Sequence, residues 1–396
     1  MSNQDSEDQF DDIRPYHDHE VRPVLTRLLA NRAFLDAVIR LRFPRMSRVA
    51  PALLRLLASR TLARRVREID SVDQFQSGLE SWFDRMIKGT TDGLTWSGAE
   101  HLAADRAYLF VSNHRDIAMD SGFMNYALHA EGHRTSRIAI GDNLLTRTYA
   151  TDLMRLNKSF VVKRSAKGVR EQYAAYMKTS RFLKHSIDAG HSVWIAQREG
   201  RAKDGDDRTD PAIIKMFYVS QRKNGVTFAE AIKALHIVPV AISYELDPCD
   251  ASKAHELRQK AETGSYQKPP DADIRSIVTG ITGHKGRVHV HFGPELTAPP
   301  DEPDAVAAWI DREVRLGFRL FPTHLEAWRR RGGAMTPELQ KMVEGGSSAA
   351  LESFAARLAA VPAEERDFLL RQYAMPVANR LAASGTNSGS EAVDVG

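Results

Sequence analysis

The sequence predicts an α/β fold: a layered, mixed and mostly parallel sheet flanked by helices, with an N-terminal helical region and further helices at the C-terminal end. From about residue 94, short apolar runs typical of buried strands alternate with longer stretches whose apolar residues recur every three or four positions. Strands separated by helices are joined by crossovers, which favour parallel neighbours in one sheet. Before residue 94 only the helical spacing is found, and it predicts the N-terminal helical region.

The elements of the sheet domain follow from this alternation across residues 95–330. Strands are predicted at 108–112, 137–141, 159–162, 192–197, 236–244 and 287–292. Helices are predicted at 122–129, 144–156, 169–189, 212–222 and 303–320. The polar segment from about Lys253 to Ala272 contains Pro269 and Pro270 and predicts an exposed insertion.

The chain on either side of this domain divides into four regions. Residues 1–18 are acidic and poor in apolar side chains, which is typical of a disordered leader. Residues 19–94 have apolar pairs at helical spacing and predict a helical region. Residues 331–383 are expected to form a C-terminal helical extension, and the small and polar residues 384–396 a disordered tail.

Arginine is concentrated in the predicted N-terminal helices. Between residues 21 and 69 there are twelve arginines and no lysine, against the two acidic residues Asp36 and Glu68. Basic amphipathic helices can lie on a membrane surface that contains anionic lipid. Solvated arginines on an ordinary helical bundle explain the pattern equally well, so both interpretations stay open.

Composition restricts the class of protein and its location. The 396 residues carry a net charge of +4, a mild excess that suits anionic substrates or a membrane surface and does not call for nucleic acid. The single cysteine, Cys249, excludes an internal disulfide framework and is typical of a reducing cytoplasm. No apolar run approaches the ~18 residues of a membrane span, and the polar start does not resemble a signal peptide. We therefore expect a cytoplasmic protein or one peripheral on the cytoplasmic face of the membrane.

A histidine follows the strand predicted at 108–112, at the kind of strand end where α/β proteins place their chemistry. His114 is followed by Asp116 and Asp120, and either carboxylate could contact the imidazole. A carboxylate on one ring nitrogen fixes the tautomer and leaves the other nitrogen to take a proton from a substrate hydroxyl. A structural histidine held by a neighbouring residue is the alternative interpretation.

Two further predicted strands end in charged residues. Lys163 and Arg164 come directly after an apolar run, and a pair of cations at a strand end is suited to binding phosphate. Glu199, Gly200 and Arg201 follow another, where glycine lets backbone amides face an anion. These residues predict an anion-binding site.

Pro239 lies inside the apolar run 236–244 and predicts an edge strand, a bulge or a kink, because proline lacks a backbone N–H. Taken in chain order, these segments resemble the four motifs of the glycerolipid acyltransferases, which include the glycerol-3-phosphate and 1-acylglycerol-3-phosphate acyltransferases. The resemblance covers about residues 95 to 300, and the four segments are Asn113 to Asp120, Phe160 to Arg164, Glu199 to Arg201 and Val238 to Val240.

The resemblance implies transfer of a fatty acyl group from acyl-CoA or acyl carrier protein to a hydroxyl of a glycerol phosphate or a lysophospholipid, with no metal and no further cofactor. It also implies a role for each matched residue. His114 would be the general base, and Asp120, or else Asp116, its orienting carboxylate. The residues implied to bind the acceptor's phosphate are Lys163, Arg164 and Arg201, and those implied to shape the site are Glu199, Gly200 and Pro239.

The sequence departs from the family motifs at four points, which concern the identity of the acceptor more than the reaction class. One of them is in the third motif, where Arg201 comes directly after Gly200 instead of one position later. Five residues separate His114 from Asp120 where the family has four. No glycine precedes Ser159, and Arg198 stands where the third motif commonly has proline. The alternatives are a remodelling or ornithine-lipid type O-acyltransferase and a non-catalytic lipid- or phosphate-binding protein of the same fold.

Three other patterns are weaker candidates for sites. The segment Asp204 to Asp207 has the composition of a calcium loop but lacks the closing glutamate. The histidines that could bind a metal are His284, His289 and His291, although two of them alternate along one predicted strand. Cys249 has no histidine near it in sequence that would activate a nucleophile.

Overall fold

The computed structural model describes residues 8–43, 45–343, 345 and 348–385. These residues form two compact units. The first takes in the described chain up to Asp84 together with Arg137–Phe182, and the second takes in Arg85–Ser136 together with the described chain from Leu183 onward. This division differs from the boundary expected near residue 94, because residues 137–182 cluster with the N-terminal helices.

The strands and helices of the described residues are numbered here in chain order. The strands are β1 (Leu94–Ser97), β2 (Leu109–Ser112), β3 (Arg137–Gly141), β4 (Ser159–Val162), β5 (Val193–Ala196), β6 (Ile237–Tyr244) and β7 (Val288–Phe292). The α-helices are α1 (Asp18–Ala30), α2 (Arg32–Arg42), α3 (Met46–Val49), α4 (Pro51–Arg65), α5 (Val72–Thr90), α6 (Met119–Ala130), α7 (Thr148–Leu156), α8 (Val169–Asp188), α9 (Pro211–Val219), α10 (Phe228–Lys233), α11 (Asp250–Thr263), α12 (Ala272–Thr282), α13 (Pro303–Gly317), α14 (Pro322–Arg330), α15 (Pro337–Lys341), α16 (Ser348–Ala360) and α17 (Arg366–Ala383).

The first unit has its core around α1. Apolar residues recur at helical spacing along one face of α1 and are buried against α5 and α7. The buried members of this cluster are Val21, Val24, Leu25, Leu28, Val72, Phe75 and Leu156. In the same unit β3 and β4 pair in parallel, with Ile138 opposite Ser159. The helices predicted from the arginine-rich segment are therefore confirmed.

The acidic start of the chain differs from the leader expected at residues 1–18. Residues 1–7 lie outside the described chain, but Phe10 and Ile13 are each only 2% exposed. Phe10 packs edge-on against Phe182 with 5.2 Å between the ring centroids, and the carbonyl of Ile13 accepts a hydrogen bond of 2.9 Å from the N–H of Val161. The burial of this segment was not predicted, because its two apolar residues stand alone among acidic neighbours.

The second unit contains five strands in the order β1-β7-β6-β2-β5. The pairs β1–β7, β6–β2 and β2–β5 are parallel, and only β6–β7 is antiparallel among them. All residues of β2, β5 and β6 are buried, as expected for strands covered by helices on both faces. The predicted fold class, a mixed and mostly parallel sheet flanked by helices, is confirmed.

The lengths of β2 and β6 differ in a way that positions a side chain. The register pairs Leu109 with Ile237 and Ser112 with Val240, which is where β2 ends. Strand β6 continues to Tyr244, and β2 and β6 run in the same direction. The last residues of β6 therefore extend alongside the loop that follows β2, and this loop carries His114.

The segment expected to be an exposed insertion, Lys253 to Ala272, is instead largely the helix α11. Lys253, Ala254 and Glu256 are buried on one face of this helix. The prediction was wrong because two of these three buried residues are charged, and charged residues are rarely buried unless they are paired. The short strand β1 and the helix α12 were also missed.

Pro239 lies in an interior strand, although the sequence predicted an edge, a bulge or a kink. It pairs with Val111 of β2, and its carbonyl accepts a hydrogen bond from the N–H of Gly293 at 2.8 Å. The antiparallel ladder with β7 covers Val240 to Tyr244, so it begins one residue after Pro239, at Val240 paired with Phe292. The proline, which lacks a backbone N–H, therefore lies just outside the part of β6 that pairs with β7, where no hydrogen-bond donor to β7 is required.

The C-terminal helices pack into the second unit, as the predicted helical extension requires. Phe354 of α16 is fully buried and lies 4.8 Å, centroid to centroid, from the ring of Tyr373 in α17. Residues 386–396, which hold most of the predicted disordered tail, lie outside the described chain. Within the described chain, no helix combines the length and the apolar character needed to cross a bilayer.

We predict that Phe354→Ala lowers the free energy of unfolding by about 3–5 kcal/mol, because it leaves a cavity between α16 and α17. Leu351→Ala, on the same helix but with its side chain 36% exposed, should lower it by less than about 1 kcal/mol. Urea unfolding followed by circular dichroism measures both values. Equal decreases in the free energy of unfolding for the two variants would show that Phe354 of α16 is not part of the hydrophobic core of this unit.

Candidate active site

His114 lies two residues beyond the end of β2, with its side chain 14% exposed. Its Nδ1 is 2.8 Å from Oδ2 of Asp120, and among the described residues its Nε2 has no hydrogen-bond partner. The ring of Trp194 stands edge-on to the imidazole with 5.9 Å between centroids. The imidazole is thus held at one nitrogen and by one neighbouring ring, while the second nitrogen stays available.

Asp120 is fully buried in the first turn of α6 and accepts four hydrogen bonds. Besides the imidazole, Oδ2 accepts from the backbone N–H groups of Arg115 at 2.7 Å and Asp116 at 3.0 Å. Oδ1 accepts from the hydroxyl of Tyr244 at 2.7 Å. Because an ionised carboxylate only accepts, Nδ1 of His114 carries the proton and Nε2 is the basic nitrogen.

Asp116, the other aspartate of this segment, does not contact the imidazole. Its Oδ1 accepts from the N–H groups of Ala118 and Met119, both at 2.9 Å, so it caps the start of α6. The helix therefore begins at Met119, three residues before the position expected from the sequence. Burial and the nearby charge of Asp120 raise the pKa of Asp116 above its ordinary value.

The side-chain carboxylate of Asp116 lies close against α12. A Cβ built on Gly280 would lie only 2.0 Å from Oδ2 of Asp116, so the helix can approach this closely only because residue 280 is glycine. This contact was not predicted from the sequence, because α12 itself was missed. Two sequence-predicted carboxylates therefore have different partners: Asp120 contacts the imidazole and Asp116 contacts the helix start.

Asn113 fixes the backbone directly before the histidine. It is fully buried, its Oδ1 accepts from the N–H of Ile242 at 2.8 Å, and its Nδ2 donates to the carbonyl of Ile242 at 3.1 Å. The side-chain amide thereby takes the place of a strand residue beside β6, where β2 has already ended. The sequence analysis assigned Asn113 no role, since its neighbour in β6 is 129 residues away.

Arg115 and Lys253 hold the backbone directly after the histidine. The guanidinium of Arg115 donates to Oδ2 of Asp207 at 2.6 Å and to the carbonyl of Gly205 at 3.0 Å. Lys253, only 2% exposed, donates from Nζ to the carbonyl of Arg115 at 2.7 Å and also to Asp247. The residue that the sequence placed in an exposed insertion therefore fixes the loop that carries His114.

The predicted turn after β5 meets this loop. The N–H of Ala202 donates to the carbonyl of His114 at 2.8 Å, which brings Glu199, Gly200 and Arg201 next to the histidine segment. Gly200 has a φ of +74°, which only glycine adopts without strain, and Glu199 is exposed. Nη2 of Arg201 donates to Oγ of Ser276 at 3.3 Å, while its Nη1 is buried without a hydrogen-bond partner among the described residues.

Lys163 and Arg164 belong to the first unit. Nζ of Lys163 is 2.6 Å from Oδ2 of Asp12, which also pairs with Lys178. Burial alone would raise the pKa of Asp12, but the hydrogen bonds from both lysines hold it below its ordinary value. The side chain of Arg164 lies against Gly141, and its backbone N–H donates to Asp142. A phosphate at Lys163 would have to compete with the carboxylate of Asp12.

Pro239 does not reach the histidine loop, since its partner Val111 lies within β2. The residue of β6 that contacts the carboxylate partner of His114 is Tyr244, which was not singled out from the sequence. A tyrosine at the end of an apolar run carries a phenol that needs a partner when it is buried, and this is the signal that could have found it.

The weaker candidates have structural roles. Burial raises the pKa of the Cys249 thiol to about 12, which disfavours the thiolate that a nucleophile requires. The ring nitrogens of His289 contact the hydroxyls of Thr95 and Ser97 at 2.8 and 3.0 Å. His291 contacts the same Ser97 at 2.9 Å. No group of three or more possible metal-binding side chains is found in the part of the chain that the structure describes.

The chain was compared with known proteins. The family model described as Acyltransferase matches residues 93–243. Among solved structures, the crystal structure of the 1-acyl-sn-glycerophosphate (LPA) acyltransferase PlsC from Thermotoga maritima is similar with 14% sequence identity, covering 74% of this chain and 95% of that chain with a TM-score of 0.33. No curated protein matches the chain. The resemblance noted in the sequence is confirmed over residues 93–243, which match this family model and contain His114, Asp120 and Arg201.

Proposed function

We propose that the protein is an O-acyltransferase that moves a fatty acyl group from an acyl thioester, acyl-CoA or acyl carrier protein, to a hydroxyl of glycerol-3-phosphate or 1-acylglycerol-3-phosphate. One observation carries the proposal: in a domain of the acyltransferase family, the imidazole of His114 is held by the buried carboxylate of Asp120 and keeps Nε2 available. This is the arrangement of a general base that acts on a hydroxyl.

The proposed reaction requires one proton to move twice. Nε2 of His114 takes the proton of the acceptor hydroxyl while the oxygen attacks the thioester carbonyl, which gives a tetrahedral oxyanion and an imidazolium. The oxyanion collapses, the carbon–sulfur bond breaks, and the leaving thiolate takes the proton from the imidazolium. Asp120 keeps the ring oriented and stabilises the imidazolium, and the products are the ester and the free thiol.

We propose that cationic side chains of the second and third motifs bind the acceptor's phosphate. Arg201 supports this most directly, because its Nη1 is buried without a partner among the described residues and lies one residue from the contact between Ala202 and His114. Lys163 and Arg164, which belong to the first unit, remain proposed phosphate-binding residues because they follow the strand of the second motif. Release of Lys163 from Asp12 would accompany that binding.

The alternatives keep the same fold and differ in the use of the site. A remodelling or ornithine-lipid type O-acyltransferase would use the same base with another acceptor. A non-catalytic lipid- or phosphate-binding protein would have no use for a basic nitrogen at His114. The four hydrogen bonds to Asp120 favour an enzyme, since they serve to orient one imidazole.

We further propose that the protein contacts the cytoplasmic face of the membrane through the apolar face of α3 and α4 and the residues just before it. Large apolar side chains are exposed here, and we call them the apolar N-terminal face. They are Phe43 (43%), Met46 (56%), Val49 (86%), Leu53 (58%), Leu56 (49%) and Leu57 (50%). Exposed arginines accompany them at positions 42, 45, 48 and 60. Apolar side chains with cations around them are suited to a bilayer that contains anionic lipid.

We predict that His114→Ala reduces thioester-dependent acyl transfer by roughly 10²–10⁴-fold, the usual contribution of a general base. His101→Ala serves as the control, since the His101 side chain is 82% exposed and lies outside the site. Transfer is measured as acceptor-dependent thiol release, and circular dichroism checks that the fold is kept. Unchanged turnover in His114→Ala would eliminate the mechanism.

We predict that Arg201→Ala raises the KM for the phosphate-bearing acceptor about tenfold or more and changes the KM for the thioester little, because it removes a charge-assisted contact to phosphate. Arg164→Ala should have the same effect on the acceptor KM. Arg312→Ala, whose side chain is 60% exposed, is the matched control. An acceptor KM that stays the same in both site variants would exclude phosphate binding by these residues.

We predict that Val49→Asp combined with Leu53→Asp weakens binding to phosphatidylglycerol vesicles about tenfold, because both positions lose apolar area and gain a charge that anionic lipid repels. Val169→Asp is a matched control, since Val169 is 85% exposed and lies on another helix. Vesicle cosedimentation at low and high salt gives the partition coefficients. Equal binding of the double variant and the control would contradict the proposed surface.

A further inference from the structure

Tyr244 is connected to the histidine through a single carboxylate. It is the last residue of β6 and is only 5% exposed, and its hydroxyl donates to Oδ1 of Asp120 at 2.7 Å. The other oxygen of the same carboxylate, Oδ2, faces Nδ1 of His114 at 2.8 Å. The ring of Tyr244 packs against Phe123 of α6 with 6.0 Å between centroids. A phenol, a carboxylate and an imidazole therefore form one line of contacts.

The phenol is fixed as a hydrogen-bond donor in this line. Burial and the negative charge of Asp120 raise the pKa of Tyr244 well above its ordinary value. The hydroxyl therefore keeps its proton over the range in which a histidine titrates. The phenol donates a hydrogen bond to the carboxylate of Asp120. This hydrogen bond partly neutralises the negative charge of the carboxylate, which therefore attracts the imidazole of His114 less strongly.

We propose that Tyr244 is a positioning residue that sets the basicity of His114 by donating a hydrogen bond to Asp120, an inference that rests on the proposed function of this site. The tyrosine touches neither substrate nor the reacting nitrogen. It acts by limiting how strongly the carboxylate stabilises the imidazolium, so that Nε2 can return its proton to the leaving thiolate. Strand β6 supplies it because that strand continues four residues past the end of its pairing with β2.

Other charged groups face this line and stay unchanged in the test. The negative charges of Asp116 and Asp247 add to the rise in the pKa of Tyr244. The charge of Asp116 also interacts with the ammonium group of Lys285. Asp247 forms an ion pair with Lys253, and the positive charge of Arg201 also helps to lower the pKa of Asp247. None of these groups bonds to Oδ1 of Asp120, whose partner among the described residues is the phenol.

The test is Tyr244→Phe, which removes the hydroxyl and keeps the ring. Without this donor the carboxylate interacts more strongly with the imidazolium, so protonation of His114 is favoured and the acidic limb of the kcat/KM profile moves to higher pH, by roughly half a unit. The rate at neutral pH should fall by up to about threefold, and the KM for the acceptor should stay the same. Tyr244→Leu, which removes the donor with different packing, should move the limb in the same direction.

Tyr373→Phe is the matched control. Tyr373 is another buried tyrosine, 3% exposed, whose hydroxyl donates to a buried carboxylate, Oδ2 of Asp250, at 2.8 Å. It should lose stability comparably and leave the pH profile in place. Coincident profiles for Tyr244→Phe, Tyr373→Phe and the unaltered protein would overturn the inference.

A second readout separates this inference from the proposed function. The imidazole of His114 can be titrated by ¹⁵N–¹H NMR in the intact protein, with His114→Ala used for assignment, and no acyl transfer is needed. A midpoint at higher pH in Tyr244→Phe than in Tyr373→Phe supports the inference even if no acceptor is turned over. Identical midpoints would reject it even if acyl transfer is observed.

Discussion

The carboxylate of Asp120 is the point on which the geometry of the site depends. Four donors from two parts of the second unit, the loop after β2 and the end of β6, converge on its two oxygens: the imidazole of His114, the N–H groups of Arg115 and Asp116, and the phenol of Tyr244. A fully buried carboxylate with fewer donors would be costly, since burial disfavours its charge. The bonds that stabilise the carboxylate are also the bonds that orient the imidazole. Stability and the proposed chemistry therefore depend on the same contacts.

The sheet makes this convergence possible through its register. Because β2, β5 and β6 are parallel neighbours, the loops that follow them lie at the same edge. The side chain of Asn113 continues the ladder beside Ile242 after β2 itself has ended. The backbone of the loop is then held by Ala202 from the turn after β5 and by Lys253 from α11. A loop fixed from several sides can hold an imidazole in one orientation with little reorganisation during reaction.

The local pattern of the sequence predicted six of the seven described strands to within a residue or so and missed β1, because apolar runs and glycine or charged ends are local signals. It also placed His114 after a strand and Arg201 after another. Local pattern did not choose between Asp116 and Asp120, since that choice depends on the dihedral angles of the loop. Nor did it find Lys253 or Tyr244, whose partners are 138 and 124 residues away. Burial of a charged or polar group by a distant partner leaves no periodic signal, and this is where the sequence-based account was incomplete.

The central claim is that this site transfers an acyl group to a phosphate-bearing hydroxyl compound. The most direct measurement is thiol release from palmitoyl-CoA and from an acyl carrier protein thioester, with purified protein and either glycerol-3-phosphate or 1-acylglycerol-3-phosphate. We expect release that depends on one of these acceptors and that forms the corresponding ester. Release that neither acceptor raises above the background of the His114→Ala variant would contradict it, and would favour another hydroxyl acceptor or a non-catalytic lipid-binding protein.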